Sequence, residues 1–171
     1  MTVTAQGIVA EHGAVIAAFI AAARSVPGEA WNGPLDGDRW SPAQIAEHLR
    51  LTYRLVGGEL RGMPGLRIRT PVWLRPWLRF RFLRSILKTG VMPAGARAPR
   101  EVRPPAGPFD REATLTGLAE AAAEFERNLL ARWDDRGAVA THHVFGALDR
   151  DQILRFAVVH AEHHRRQLGR R

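Results

Sequence analysis

The chain has no cysteine among its 171 residues. That excludes a disulfide framework, a thiol nucleophile and a cysteine-ligated metal site. Any metal must be held by His, Asp or Glu. Long apolar runs are also missing. The longest, Ala14 to Ala23, falls well short of the ~20 residues that cross a bilayer. It follows Glu11 and His12 rather than a Lys/Arg-rich leader, so it does not read as a signal peptide. These absences predict a cytoplasmic protein. Strand-like alternation is scarce and confined to residues 78–82.

Acidic residues are scarce in one region only. Residues 50–103 hold 13 basic side chains, 12 Arg and Lys88, against Glu59 and Glu101, a net of +11. The remainder holds 12 basic and 15 acidic residues, a net of −3, so the overall +8 belongs to one segment. Net charge speaks to partners and solubility rather than fold. With 46% hydrophobic and 25% charged residues, the composition is that of a globular protein, and the length suits a single domain spanning 1–171.

Four helices are predicted. The first covers about Thr4 to Arg24, with Ile8, Val15, Ile16, Phe19 and Ile20 at helical spacing, and ends at Pro27-Gly28. Ser41-Pro42-Ala43-Gln44 is a capping box with Pro at the first helical position, opening a helix from Pro42 to about Val56. Gly57-Gly58 is expected to stop it. Its core stripe holds Ile45, Leu49, Thr52 and Val56, together with Gln44 and His48. Asp110 caps a third helix running to about Asp135, with Leu115, Leu118, Ala122, Phe125, Leu129 and Trp133 inward. Glu112, Glu120, Glu124 and Glu126 fall on its solvated face. Residues 137–146 read as a linker. Asp149 and Gln152 form a second capping box, opening a helix from Arg150 to Leu168. Four such patterns in one domain predict an all-α helix bundle.

Of the seven histidines, His160 and His164 are four apart on the stripe of the last helix, one turn above the other. This is the spacing by which a helix offers two imidazoles to one metal. Ala161 stands where a zinc protease needs Glu, so that reading fails. His48 supplies a third core-facing imidazole from another helix. A single core histidine is commonly a hydrogen-bonded structural residue, whereas three on two core stripes point to a metal with open positions. Helix phase alone leaves open whether His48 meets the other two. Glu47 and Glu162 lie off the histidine stripes, and neither is assigned as a general base.

Three stretches resemble the DinB-like superfamily of four-helix-bundle metal-binding proteins. Trp40-Ser41 through His48-Leu49 is similar to the helix start of that family. The run from His160 through His163, His164, Arg165 and Gln167 is similar to its closing motif. The stretch from His143 through Phe145, Gly146 and Leu148 resembles a loop before the last helix in one branch. The resemblance implies a DinB-like four-helix bundle in which His48, His160 and His164 match the metal-ligand positions and His163 matches a non-ligating neighbour. It also implies a divalent metal, zinc foremost, with nickel, manganese or iron as alternatives. The family includes thiol S-transferases and enzymes acting on thiol conjugates. The implied function is therefore a metal-dependent transferase or hydrolase that activates a water or thiol, with a small thiol or anionic compound as substrate. Gln44, His143, His163 and Gln167 are candidates to orient the ligands or touch substrate, Gln44 and Gln167 being equally readable as surface residues.

The basic stretch, about residues 60–108, lies outside the family pattern and reads as a partly helical insert between the second and third helices. Pro71 to Lys88 predicts a helix starting near Pro76. Leu78, Phe80, Phe82, Leu83, Ile86 and Leu87 form an apolar arc that Arg79 interrupts. Arg81, Arg84 and Lys88 lie opposite, and Trp73 and Trp77 lead in. Residues 90–108, rich in Pro and Gly, predict an extended loop. Packing of the arc on the bundle or on a second subunit of a homodimer is the first expectation. The alternatives are a non-catalytic protein binding an anionic membrane or nucleic acid through this insert, and a bundle whose His triad is only structural. An arginine of the insert near the metal would attract an anionic substrate.

Overall fold

The computed structural model describes residues 5–169 apart from 36, 38, 94 and 96. It is mostly helical, with one small antiparallel sheet. Helix α1 spans Ala5–Arg24 and buries Ile8, His12, Ile16, Phe19 and Ala23, one face at 3–4 residue spacing. By length and composition its Gln6–Arg24 stretch is apolar enough to cross a membrane. That exceeds what the uninterrupted run predicted, because the helix continues through Glu11 and His12. Its buried face packs on two other helices, α5 (Arg111–Ala131) and α6 (Arg150–Leu168).

Helix α2, Pro42–Leu60, begins at the expected capping box: the Ser41 hydroxyl accepts from Gln44 N, and the Gln44 side chain accepts from Ser41 N. It does not stop at Gly57-Gly58 but ends at Arg61 and Gly62, where φ reaches 89°. The glycine serves packing instead. A Cβ on Gly57 would lie 3.6 Å from Phe125 Cα, and Asn128 Nδ2 donates to Gly57 O at 3.1 Å. Helices α2 and α5 therefore approach backbone to backbone, in the most extensive contact of the fold.

Helix α5 starts at its Asp110 cap, whose carboxylate accepts from Ala113 N, and ends at Ala131, before the expected Asp135. Beyond it the chain turns, with Arg132 bonded to Asp135. The presumed linker at 137–146 is instead the start of a β-hairpin. Strand β1, Ala138–His142, pairs with β2, Gly146–Asp149, with a bulge between Ala138 and Ala140. Five residues are too few for a period-two signal to stand out in sequence. The Glu59 carboxylate accepts from Thr141 N at 3.0 Å, fastening the hairpin to the end of α2. Helix α6 has the expected bounds and capping box.

The insert carries a composite helix over residues 72–89. A 3-10 turn (Val72–Leu74) leads into α3 (Arg75–Leu78), a π turn (Arg79–Leu83) and α4 (Arg84–Thr89). The strand-like alternation at 78–82 is thus helical. Leu83 and Ile86 join the core, with Leu78, Phe82 and Leu87 partly covered. Phe80, expected in the apolar arc, is exposed. The extra residue of the π turn shifts the helical phase, so that Arg79 points at the hairpin and Phe80 at solvent. The Arg79 guanidinium donates to Phe145 O, Ala147 O and Gln152 Oε1. The loop that follows lies along α2, with Val102 buried.

Candidate metal centre

His48 projects from α2, and His160 and His164 from α6, into one cluster. The His48 and His160 Nε2 atoms are 3.2 Å apart, and those of His160 and His164 are 3.0 Å apart. The rings meet edge to face, at 86° for His48–His160 and 68° for His160–His164. Helix phase left their convergence open, and the packing of α2 beside α6 brings it about.

Two of the three tautomers follow from their neighbours. His48 Nδ1 lies 2.8 Å from Val102 O, and His164 Nδ1 lies 2.8 Å from Gln167 Oε1. A carbonyl oxygen only accepts, so each Nδ1 carries the hydrogen and each Nε2 turns a bare lone pair toward the cluster. Burial holds the rings neutral. It lowers His48, with the Val102 bond partly offsetting it, and carries His164 down to about 3. His160 sits well below the ordinary range for the same reason, reinforced by His164 and His48. His160 carries at most one hydrogen on Nε2, so it can match only one of the two lone pairs it faces, whereas a cation would join all three nitrogens.

The donor set fits a divalent ion. At metal–nitrogen distances of ~2.1 Å, ligand nitrogens lie ~3.0 Å apart in an octahedral shell and ~3.4 Å apart in a tetrahedral one, close to the two spacings His160 makes, and all three ligand atoms lie within 4.8 Å of one another. Each Nδ1–H bound to an oxygen fixes ring orientation and strengthens the ring as a ligand. Three buried histidines at one point are compatible with metal binding, and His160, the least buried of them, opens on a cavity of about 450 Å³.

The cavity runs from the cluster to the insert and the hairpin. Arg39 and Arg97 line it, and no carboxylate does among the described residues. Met92 and Pro93 form part of its wall, so the insert covers the site as well as the core. Of the residues proposed to orient ligands or touch substrate, Gln167 sits against His164 and donates to His163 Nε2 at 3.1 Å. His163 and His143 both line the cavity, and His143 Nδ1 is buried without a hydrogen-bond partner among the described residues. Gln44 is elsewhere: it closes the α2 cap and donates to Pro105 O at 3.2 Å, pinning the insert. Its position one turn before His48 is consumed by capping. Glu47 and Glu162 are paired with Arg50 and with Arg165 and Arg166, as their place off the stripe implied.

Two features escape sequence reading. His142, not singled out, lines the cavity. Its Nδ1 accepts from Val144 N at 3.1 Å and Phe145 N at 3.3 Å, so the hydrogen sits on Nε2. Burial, with His143 nearby, lowers it to about 3. The signal for it is the hairpin, whose strands are too short to stand out in the sequence. The second feature is a polar chain centred on the buried His12. His12 Nδ1 meets Glu126 Oε1 at 2.6 Å, and His12 Nε2 meets the Tyr53 hydroxyl at 2.9 Å. Glu126 is therefore not on the solvated face; its side chain is only 20% exposed. Burial, and secondarily Glu126, push the Tyr53 hydroxyl well above its ordinary range, keeping it neutral.

No curated protein and no solved structure matches the chain. One family model does, described as Protein of unknown function (DUF1569), over residues 19–171. The matched stretch takes in all three clustered histidines, the insert and the hairpin. The chain belongs to the DUF1569 family.

Proposed function

We propose that this protein is a divalent-metal-dependent enzyme built on a DinB-like four-helix bundle of α1, α2, α5 and α6, acting on a small anionic or thiol-bearing compound by transfer or hydrolysis. The observation that carries the reading is the convergence of three Nε2 atoms beside a cavity whose charged lining, among the described residues, is Arg39 and Arg97. A purely structural histidine cluster has no need of a cavity or of cations along it.

His48, His160 and His164 would hold the ion, zinc foremost, with nickel, manganese or iron as alternatives. Bound there, a divalent ion supplies Lewis acidity, lowering the pKa of a water or thiol so that a nucleophile forms at neutral pH. The chain's own groups do the rest. Val102 O and Gln167 Oε1 lock two of the ligand tautomers. Arg39 and Arg97 draw an anion into the cavity. The His142 Nε2–H is a neutral donor available to a substrate oxygen. Among the described residues along the cavity, His143 and His163 are the groups positioned to move a proton.

The test is elemental analysis of tag-free protein, followed by a screen with low-molecular-weight thiols and electrophilic conjugates. One metal per chain, lost together with activity in His160→Ala, is expected. Absence of stoichiometric metal, before and after adding zinc, nickel or manganese, would overturn the reading.

A further inference from the structure

The outer face of the insert helix is neither packed nor paired. Eight large apolar side chains stay exposed among the described residues, and all but Leu130 lie between Met63 and Val91. Trp73 is 78% exposed, Trp77 56% and Phe80 70%. Trp73, Trp77, Phe80 with Arg81, Arg84 and Lys88 follow one another at three- to four-residue steps, a single stripe along residues 72–89. Its first half is aromatic and its second half cationic. Arg84 lies 5.9 Å from the Phe80 ring and Arg81 lies 5.6 Å from Phe82, so the two halves interleave. Arg81, Arg84 and Lys88 form no ion pair among the described residues, whereas Arg79 on the inner side is fully used holding the helix to the hairpin.

We propose that this stripe docks the protein onto an anionic lipid bilayer, the helix lying in the plane of the interface with its tryptophans and Phe80 among the headgroups. Three observations favour that occupant. Residues 60–100 contain no Asp or Glu, so a second copy would bring the same uncompensated cations to the contact. The exposed set includes Val72 and Val91 beside the aromatics, and aliphatic side chains gain from a hydrocarbon boundary but not from stacking on bases. Tryptophan with Lys and Arg on an amphipathic helix is the chemistry that suits a negatively charged membrane surface. Leu83 and Ile86 anchor the opposite side in the core, so the helix presents this face without unfolding.

The test is co-sedimentation of the full-length protein with vesicles of phosphatidylcholine alone and with about one-third phosphatidylglycerol, tryptophan emission being followed in parallel. Binding to the anionic vesicles only, with a blue shift and release by high salt, is expected. Arg81→Gln/Arg84→Gln/Lys88→Gln should weaken it by about a hundredfold, taking roughly fivefold per charge. Trp73→Ala/Phe80→Ala should weaken binding and diminish the blue shift, Trp77 being the stripe tryptophan that remains. All five positions are exposed, and an unchanged melting curve establishes that the variants fold. No binding to anionic vesicles would overturn the proposal. So would equal binding to neutral ones, tighter binding of a single-stranded oligonucleotide through the same residues, or a dimer dissociated by Trp73→Ala/Phe80→Ala.

Discussion

Two buried histidine clusters lie within this fold, and they are built on opposite principles. Around His12 every polar atom has a complementary partner: a carboxylate faces one ring nitrogen and a hydroxyl faces the other. Around His48, His160 and His164 the outward nitrogens are satisfied where the neighbours are known, but the inward ones face each other. The first arrangement is complete as it stands and ties α1, α2 and α5 together. In the second, His160 offers at most one hydrogen to the two lone pairs it faces, so the set is short of a partner unless something electron-poor sits among the rings. Burial alone does not distinguish a ligand histidine from a structural one; the identity of the atom opposite each nitrogen does.

That contrast is open to breaking. The largest effect is expected from His160→Ala, which removes the nitrogen shared by both close contacts. Metal affinity should fall at least a thousandfold by titration calorimetry, while the apo protein loses no more than the one hydrogen bond His160 can donate within the triad, about 1 kcal/mol. His12→Ala should do the reverse. It leaves Tyr53 and Glu126 without their partner in the interior, at a cost of about 3 kcal/mol by denaturant unfolding, with metal stoichiometry unchanged. Gln167→Ala frees the His164 ring without removing it and should weaken metal binding by about 10- to 100-fold.

Acid sharpens the comparison further. His164 and His142 are held near 3 in the folded chain against an ordinary value of 6.5. As pH falls below about 6.5, the unfolded chain takes up these protons first, so folding stability is full above that point and declines toward pH 3. Thermal melts of apo protein should show that decline. Bound metal should oppose it and be released as the imidazoles protonate. The smallest effect belongs to Glu162→Gln. It breaks only surface pairs with Arg165 and Arg166 and should shift stability by less than about 1 kcal/mol.

Much of this was legible in the sequence because the signals were local. Both capping boxes appear as read, since a Ser or Asp followed three residues later by Gln satisfies backbone amides whatever lies around it. The apolar stripes put His48, His160 and His164 inward, as the periodicity implied. What failed depended on partners far along the chain. Gly57-Gly58 looks like a helix stop until Phe125 of α5 is seen against it. Glu126 looks solvated until His12, 114 residues away, is seen to need it. Arg79 spoils an apolar arc until the hairpin carbonyls it bonds are known, and that hairpin was itself too short to announce its strands.

X-ray absorption of the zinc-loaded protein reads the inward face of the triad directly. A nitrogen shell at ~2.0–2.1 Å with scattering from three imidazoles, reduced to two in His160→Ala, is the predicted result. A shell of oxygen alone, or no zinc retained at one per chain, would contradict it.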